Sequence, residues 1–270
     1  MKFTYGIKIW WCSFICYNRK KSRTTELSPF MPLKKTVSVI IPARNEESFL
    51  PRCIAALQSA SQFANCSLEI IVVLNRCTDK TEEIANELGC ITVRCDKKNL
   101  SAIRNVGVSK ANSEWIATLD ADSIVCPHIF KSIHQALENP KTVGGGVMIY
   151  PSRYSPGIIL TGLLLLPIVL RYGISGGMFF FRKDDFQRIG GFDENLVSIE
   201  DIDFAIRLKA LGKSDNRTFR TLWKTYITTS TRKFDHFGDW YFLLRPHLLW
   251  RLFRGTDRDA SNIIWYDFKR

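Results

Sequence analysis

Two carboxylates that follow an apolar segment are the strongest candidates for chemistry in this chain. Asp120 and Asp122 are separated by one residue and directly follow the apolar run Trp115–Leu119. In an extended chain, side chains two residues apart lie on the same side. Mg²⁺ or Mn²⁺ bound to a nucleotide takes one or two carboxylates together with phosphate oxygens and water. The spacing therefore indicates a metal-diphosphate site, and the alternative is a simple turn, in which Asp favours local hydrogen bonds.

Apolar strands alternate with helical patterns ahead of these carboxylates. Strands are predicted at residues 37–41, 68–74, 90–95 and 115–119, and helices follow the first three of them. This alternation predicts an α/β fold with a mainly parallel sheet, flanked by helices and joined by right-handed crossovers. Ligands of such sheets bind at the carboxyl ends of the strands. The loops that carry Arg44, Asp79 and Asp122 are therefore expected at one edge.

Composition restricts the class of protein and its partners. The 270 residues are 46% hydrophobic and carry a formal net charge of +12, which favours anionic partners such as phosphorylated substrates or acidic lipids. Lys and Arg are spread along the chain without a motif that reads nucleic acid, so no nucleic-acid partner is expected. The eight cysteines include no Cys-x-x-Cys pair. This argues against a zinc ribbon and predicts reduced thiols in the cytoplasm.

Six short motifs resemble those of a known family and occur in the same order. They are VSVIIPARNEE (37–47), CTDKT (77–81), AIRNVG (102–107), LDAD (119–122), GGFDE (190–194) and EDID (200–203). Together they resemble the family 2 glycosyltransferases, inverting enzymes of GT-A fold, and the resemblance covers roughly residues 36–235. It implies a single nucleotide-binding domain that transfers a sugar from a nucleotide-sugar donor with Mg²⁺ or Mn²⁺ as cofactor.

The resemblance implies donor-side roles for specific positions. These are Pro42, Ala43, Arg44 and Glu46 in the nucleoside pocket, Arg104 beside the diphosphate, Asp120 near the ribose and Asp122 as the principal metal ligand. Leu74 and Asn75 stand where many members have two acids, so Asn75 or Asp79 is expected to recognise the base. Asp79 as a helix N-cap, and Glu46 with Glu47 as acids at a helix start, are the structural alternatives.

Acceptor chemistry is implied further along the chain. Asp201 matches the Asp of the family's Glu-Asp pair and would be the general base that takes the proton of the acceptor hydroxyl. Glu200 would orient the acceptor, and Arg232 would close over the diphosphate. The alternative is that these acids occupy the first turn of a helix, expected to end at Gly212, where the macrodipole favours them. His236 is interpreted as structural rather than as a metal ligand.

Segments outside the motifs point to a membrane. The expected division is a basic, aromatic extension (1–30), the catalytic domain (31–235) and a C-terminal tail (236–270). The tail mixes aromatic and basic residues, which is typical of anionic membrane surfaces. Packing of the tail over the apolar run 158–170 is the alternative. That run is too short to span a bilayer, and with Gly162 and Pro167 interrupting it, a buried or membrane-dipping element is expected.

These features predict a cytoplasmic protein, peripheral at the inner face of a membrane, with a glycan or lipid-linked acceptor. Two other classes share part of the pattern. A sugar nucleotidyltransferase would need a glycine-rich phosphate loop after the first strand, where this chain has Pro-Ala-Arg-Asn-Glu. A non-catalytic scaffold of the same fold stays open, and Asp122 and Asp201 argue against it.

Overall fold

The computed structural model describes residues 34–173 and 177–265, so the N-terminal extension (1–30) lies outside the described residues. The strands are β1 (Lys34–Ala43), β2 (Cys66–Leu74), β3 (Ile91–Arg94), β4 (Trp115–Leu119), β5 (Ser123–Val125), β6 (Thr142–Pro151), β7 (Met178–Arg182) and β8 (Thr218–Thr229). The helices are α1 (Leu50–Ala64), α2 (Thr81–Glu87), α3 (Leu100–Lys110), α4 (Ile129–Glu138), α5 (Pro156–Tyr172), α6 (Lys183–Arg188), α7 (Glu200–Ser214), α8 (Arg232–Phe237), α9 (Tyr241–Leu244), α10 (Pro246–Phe253) and α11 (Arg258–Trp265).

The strands of this part of the chain form one eight-stranded sheet in the order β3-β2-β1-β4-β7-β6-β8-β5. β1, β2, β3 and β4 are mutually parallel, and β6 and β8 run in the same direction as these four. β7 and β5 run in the opposite direction. This confirms the predicted α/β fold with a mainly parallel sheet.

Helices cover both faces of the sheet. Side chains alternate along a strand, so neighbouring residues pack against opposite helix layers. Val39 of β1 packs in one core cluster with Ile54 of α1 and Ile133 of α4. Its neighbour Ile40 packs in a second cluster with helices α3, α6 and α7. Gly107 lets α3 approach β1 closely, since a Cβ at that position would lie 2.3 Å from Cγ2 of Ile40. The absence of a side chain at Gly107 thus allows α3 to lie close to β1.

Two helix boundaries differ from the prediction. Gly162 and Pro167 do not interrupt the run 158–170, because α5 continues through both. Pro167 has no N–H to donate to the carbonyl of Leu163. Because Leu163 is exposed, water can donate to that carbonyl instead. Gly212 does not end α7 but lies inside it. A Cβ there would lie 2.8 Å from Cγ1 of Val143, so this glycine serves close packing on β6.

The C-terminal helices pack on the rest of the fold. Phe242, Leu248 and Leu252 form a small buried cluster with residues of α11, and α9 contacts α5. Pro246 begins α10, which follows α9. The boundary expected at residue 235 falls inside α8. Among the described helices, none combines the length and the hydropathy that a bilayer crossing requires.

Candidate functional site

A cleft opens at the carboxyl ends of the parallel strands and encloses about 730 Å³, including space open to solvent. Its lining residues come from loops that are far apart in sequence: Pro42, Ala43, Arg44, Glu46, Asn75, Leu100, Ile103, Asp120, Ala121, Asp122, Val197, Glu200, Arg232 and Lys233. The structure therefore brings most of the sequence-predicted site residues to one place.

The two carboxylates after β4 lie on a turn. The N–H of Ser123 donates to the carbonyl of Asp120 at 3.1 Å, so the extended geometry assumed from the spacing is wrong. Both Asp120 and Asp122 nevertheless line the cleft, because the turn carries them across the strand ends. Their side chains differ in exposure, at 48% and 13%. The Asp120 carboxylate is therefore open to solvent, whereas the Asp122 carboxylate is largely buried in the wall of the cleft.

Asp122 shares a cation with Glu46. Both N–H groups at the end of the Arg232 guanidinium donate to the Glu46 carboxylate at 2.7 Å, and one of them lies 3.1 Å from Oδ2 of Asp122. The guanidinium also stacks over the ring of Phe49, 4.8 Å from its centroid. Burial raises the pKa of Asp122, and the negative charges of Asp120 and Glu46 add to the rise that Arg232 opposes.

Arg104 links the turn of Asp120 to the start of α7. It is 7% exposed and donates to Glu200 at 2.6 Å and to Asp120 at 3.1 Å. The guanidinium also lies over the ring of Phe192, 5.5 Å from its centroid. Its donor fork is thus directed at two carboxylates, and Arg104 acts in this structure as a bridge between the two sides of the cleft.

Asp201 follows Glu200 in the first turn of α7. Its Oδ1 accepts the N–H of Ile202 at 2.8 Å, and its side chain is half-buried. Burial and the adjacent charge of Glu200 raise the pKa of Asp201 to about 6, against the opposing effect of Arg104. A carboxylate with that pKa is largely ionised at neutral pH and still accepts a proton readily. The Glu200 carboxylate is held by Arg104 at 2.6 Å.

The two residues considered for base recognition have structural partners. The side-chain amide of Asn75 donates to the carbonyls of Cys95 and Lys97, at 2.5 Å and 2.9 Å. The Asp79 carboxylate accepts the N–H and hydroxyl of Thr81 at the start of α2, and the N–H of Glu47. Lys80 is the N-cap residue of α2, so Asp79 lies one position before the cap, and its carboxylate connects the loops that precede α1 and α2. Asn75 still lines the cleft beside Ala43.

Some features of the cleft carry no clear signal in the sequence. Lys233, the residue after Arg232, also lines the cleft, and its position beside Arg232 is the sequence signal that indicates it. Leu100, Ile103 and Val197 form its apolar wall. Ile103 lies in the motif AIRNVG, whereas no motif distinguishes Leu100 and Val197 from core residues. His236 is exposed and makes an edge-on ring contact with Phe237, with the ring centroids 4.7 Å apart.

The comparisons with known proteins agree with this geometry. The model of the family described as Glycosyl transferase family 2 matches residues 38–190, which is more than half of the chain. The chain belongs to glycosyltransferase family 2. This family 2 chain is 28% identical over 189 residues to an uncharacterized glycosyltransferase of Haemophilus influenzae. The matched region covers 64% of this chain, and the chain spans only 61% of that relative's length.

Two solved structures resemble the fold of the chain at low sequence identity. Residues 1–349 of S. aureus TarS in complex with UDP-GlcNAc match with a TM-score of 0.57 and 18% identity, over 86% of this chain and 71% of that one. The mannosyltransferase PcManGT from Pyrobaculum calidifontis, in complex with GDP-Man and Mn²⁺, matches with a TM-score of 0.58 and 14% identity, over 91% and 69%. These likenesses establish a GT-A fold.

The carboxylates around Asp122 suit a metal ion whose other ligands come from a bound phosphate group and water. Within residues 34–173 and 177–265, no group of three or more His, Cys, Asp and Glu side chains forms a complete metal site. Mg²⁺ in nucleotide sites needs only one or two carboxylates, with phosphate oxygens and water as the remaining ligands. Asp120 and Asp122 in the lining of one cleft meet that requirement.

Proposed function

We propose that this family 2 protein is an inverting glycosyltransferase that moves a sugar from a nucleotide-sugar donor to a hydroxyl of a glycan or lipid-linked acceptor. The observation that carries the proposal is the bridge formed by Arg104. It joins the carboxylate turn after β4, which suits a metal-bound diphosphate, to the first turn of α7, which holds Asp201. Glu200 lines the cleft, whereas Asp201 and Arg104 are not among its lining residues, so a donor would lie beside the turn of α7 that carries the proposed base.

Asp201 is the proposed general base. Inversion in one step requires the acceptor oxygen to attack the anomeric carbon opposite the leaving diphosphate while a base takes the hydroxyl proton. The raised pKa of Asp201, about 6, supports this role. Glu200, held by Arg104 and lining the cleft, would position the acceptor through its remaining lone pairs.

The donor diphosphate would occupy the side of the cleft formed by Asp122, Arg232 and Lys233. Asp122 would hold Mg²⁺ or Mn²⁺, with Asp120 near the ribose, and the ion would neutralise negative charge that develops on the leaving diphosphate. The Mn²⁺ in the PcManGT complex supports this assignment. Arg232 already lies 3.1 Å from Asp122 and would exchange that carboxylate for phosphate oxygens when the donor enters.

The loop Pro42, Ala43, Arg44 and Glu46 would hold the nucleoside, with Asn75 near the base. These residues line one wall of the cleft, at the ends of β1 and β2. Asn75 would present its carbonyl oxygen, since its amide group is bonded to backbone carbonyls. Asp79 would act indirectly, by fixing the loops before α1 and α2.

The exposed face of α5 supports an acceptor at a membrane surface. Five apolar side chains of this helix are between 41% and 55% exposed: Ile159, Leu160, Leu163, Leu164 and Leu166. Leu244 of the contacting helix α9 is 76% exposed, and Arg245 follows it. Apolar side chains beside basic ones suit an anionic lipid interface. We infer that the protein acts there as a peripheral cytoplasmic enzyme.

Nucleotide binding tests the metal assignment. A thermal-shift screen of nucleotide sugars with Mn²⁺ would identify the donor, and calorimetry with the matching nucleoside diphosphate would then compare wild type with Asp122→Ala. We expect Asp122→Ala to abolish Mn²⁺-dependent binding and keep the fold. Asp184→Ala, which removes an exposed carboxylate of α6, is the matched control and should bind as wild type does. Unchanged binding by Asp122→Ala would contradict the assignment.

A further inference from the structure

Ile199, which precedes the two acids of α7, has an unusual backbone conformation. Its φ of +54° and ψ of 16° lie in the left-handed region, which β-branched residues rarely adopt. Such a conformation persists only where the surroundings hold it in place. Its carbonyl accepts the N–H of Asp203 at 3.0 Å, so the backbone of Ile199 sets the direction in which α7 begins.

The contacts that hold this backbone come from the C-terminal helices. The N–H groups of Val197 and Ser198 both donate to the carbonyl of Gly255, at 2.7 Å and 3.3 Å. The hydroxyl of Ser198 donates to the carbonyl of Leu252 at 2.7 Å. In the opposite direction, the hydroxyl of Ser261 donates to the carbonyl of Val197 at 2.7 Å. Ser198 and Ser261 are each 1% exposed.

The turn between α10 and α11 is shaped to fit this loop. Gly255 has a φ of +78°, which favours glycine, and a Cβ there would lie 2.8 Å from Leu196 and 3.2 Å from Ile199. The absence of a Cβ at Gly255 therefore lets the side chains of Leu196 and Ile199 pack directly against the turn. We call Leu252, Gly255 and Ser261 the C-terminal clamp.

We propose that the C-terminal clamp positions Asp201 for catalysis by fixing the backbone of Val197 to Ile199. The clamp lies outside residues 38–190, which match the family, and beyond residue 235, where the sequence placed the end of the catalytic domain. Ser198 and Ser261 are positioning residues, because they act on Asp201 through the loop and do not line the cleft. The inference rests on the proposed role of Asp201 as base.

Removal of one buried hydroxyl tests the clamp. In Ser261→Ala, the carbonyl of Val197 loses its partner, and we expect faster hydrogen exchange at the amides of residues 197–203. Ser198→Ala should give the same result from the other side of the contact. Ser214→Ala is the matched control, because it removes an exposed hydroxyl bonded to a carbonyl at the far end of α7. Ser261→Thr, which keeps the hydroxyl, should restore wild-type exchange.

The position of Asp201 can be followed without a donor. In protein with ¹³C-labelled aspartate, the carboxyl signal absent from Asp201→Asn identifies Asp201. Loss of the clamp should move its titration midpoint from about 6 toward an ordinary aspartate value, because the carboxylate then reaches water. With a donor that wild type turns over, kcat should fall at least tenfold in Ser261→Ala, with the affinity for UDP or GDP and Mn²⁺ within twofold.

Two results would overturn the proposal. One is exchange and titration in Ser261→Ala and Ser198→Ala that match wild type. The other is faster exchange in the loop with an unchanged Asp201 midpoint and unchanged kcat, which would make the clamp purely structural. Failure of the proposed function would look different, since Asp201→Asn would then keep wild-type turnover while the exchange and titration results still report on the clamp.

Discussion

Arg104 and Glu200 form a buried ion pair of 2.6 Å between helices α3 and α7. Each side chain is 9% exposed, and the two residues are 96 positions apart in sequence. Arg104 also bonds Asp120, at 3.1 Å. Because a buried charge is costly without its partner, this pair couples the stability of the fold to the arrangement of both sides of the cleft.

Breaking this pair from one side should destabilise the protein. In Arg104→Met, the Glu200 carboxylate stays buried without its cation, and we expect a loss of about 3–5 kcal/mol in the free energy of unfolding at pH 7. Urea denaturation measures this loss. Arg104→Met with Glu200→Gln removes the unpaired charge and should recover part of it. Equal stability of the single and the double variant would show that the unpaired Glu200 carboxylate is not costly to bury.

The turnover of the enzyme should depend on the protonation of Asp201. Its pKa is raised to about 6, so the carboxylate is protonated below that pH and cannot accept the acceptor proton. The value of kcat/KM, which reports the pKa of the free enzyme, should rise about tenfold per pH unit below 6 and level off above it. Asp201→Asn should lower kcat by about a hundredfold to ten-thousandfold and lose this pH dependence. A wild-type rate in the variant would make Glu200 or Asp203 the next candidate.

The same shift predicts an effect on stability. The pKa of Asp201 is higher in the folded protein than the value of about 4 expected in the unfolded chain. The folded state therefore binds the extra proton between about pH 4 and pH 6, and wild-type stability decreases as the pH rises through that window. Asp201→Asn should be more stable than wild type above pH 6, with a gap that closes toward pH 4. Thermal unfolding at pH 4, 6 and 8 measures this gap.

Arg232 should affect the metal and the nucleotide in opposite directions. In Arg232→Ala, Asp122 and Glu46 lose their shared cation, so the affinity for Mn²⁺ alone should increase. The affinity for a nucleoside diphosphate with Mn²⁺ should decrease, because one cation for the phosphates is gone. Calorimetry measures both. Arg232→Lys keeps the charge without the paired bonds to Glu46 and should lie between the two. A decrease of both affinities would indicate that Arg232 mainly holds the cleft together.

The apolar face of α5 should carry the protein to anionic membranes. We expect more sedimentation with anionic than with neutral liposomes, and partial release by salt. Leu163→Glu places a charge in the exposed face, where the native side chain is 55% exposed, and should lower this binding. Phe63→Glu makes the same kind of change on α1, at a side chain that is 62% exposed, and should bind as wild type does. Negligible binding of the wild type at low salt would exclude the membrane interface.

Local patterns in the sequence predicted the elements around the cleft. β4 (Trp115–Leu119) has the predicted bounds and is buried along its whole length, and α3 (Leu100–Lys110) follows the third strand as predicted. The glycines were less predictable. Gly212 suggested a helix end but serves packing on β6, since an absent Cβ suits a left-handed turn and a close contact equally well.

The pairings across the cleft were decided by the tertiary structure. Glu46 and Arg232 are 186 positions apart and meet because β8 brings its following loop beside the turn of Asp122. Val197 and Gly255 meet because α10 and α11 fold back onto the loop before α7. Sequence periodicity reports which side of an element is buried. The sequence by itself thus determined β1 to β4, the helices that follow the first three of them, and the acids after β4. It does not report which loops become neighbours, since that depends on the order of strands in the sheet, and so the shared cation, the Arg104 bridge and the clamp required the folded chain.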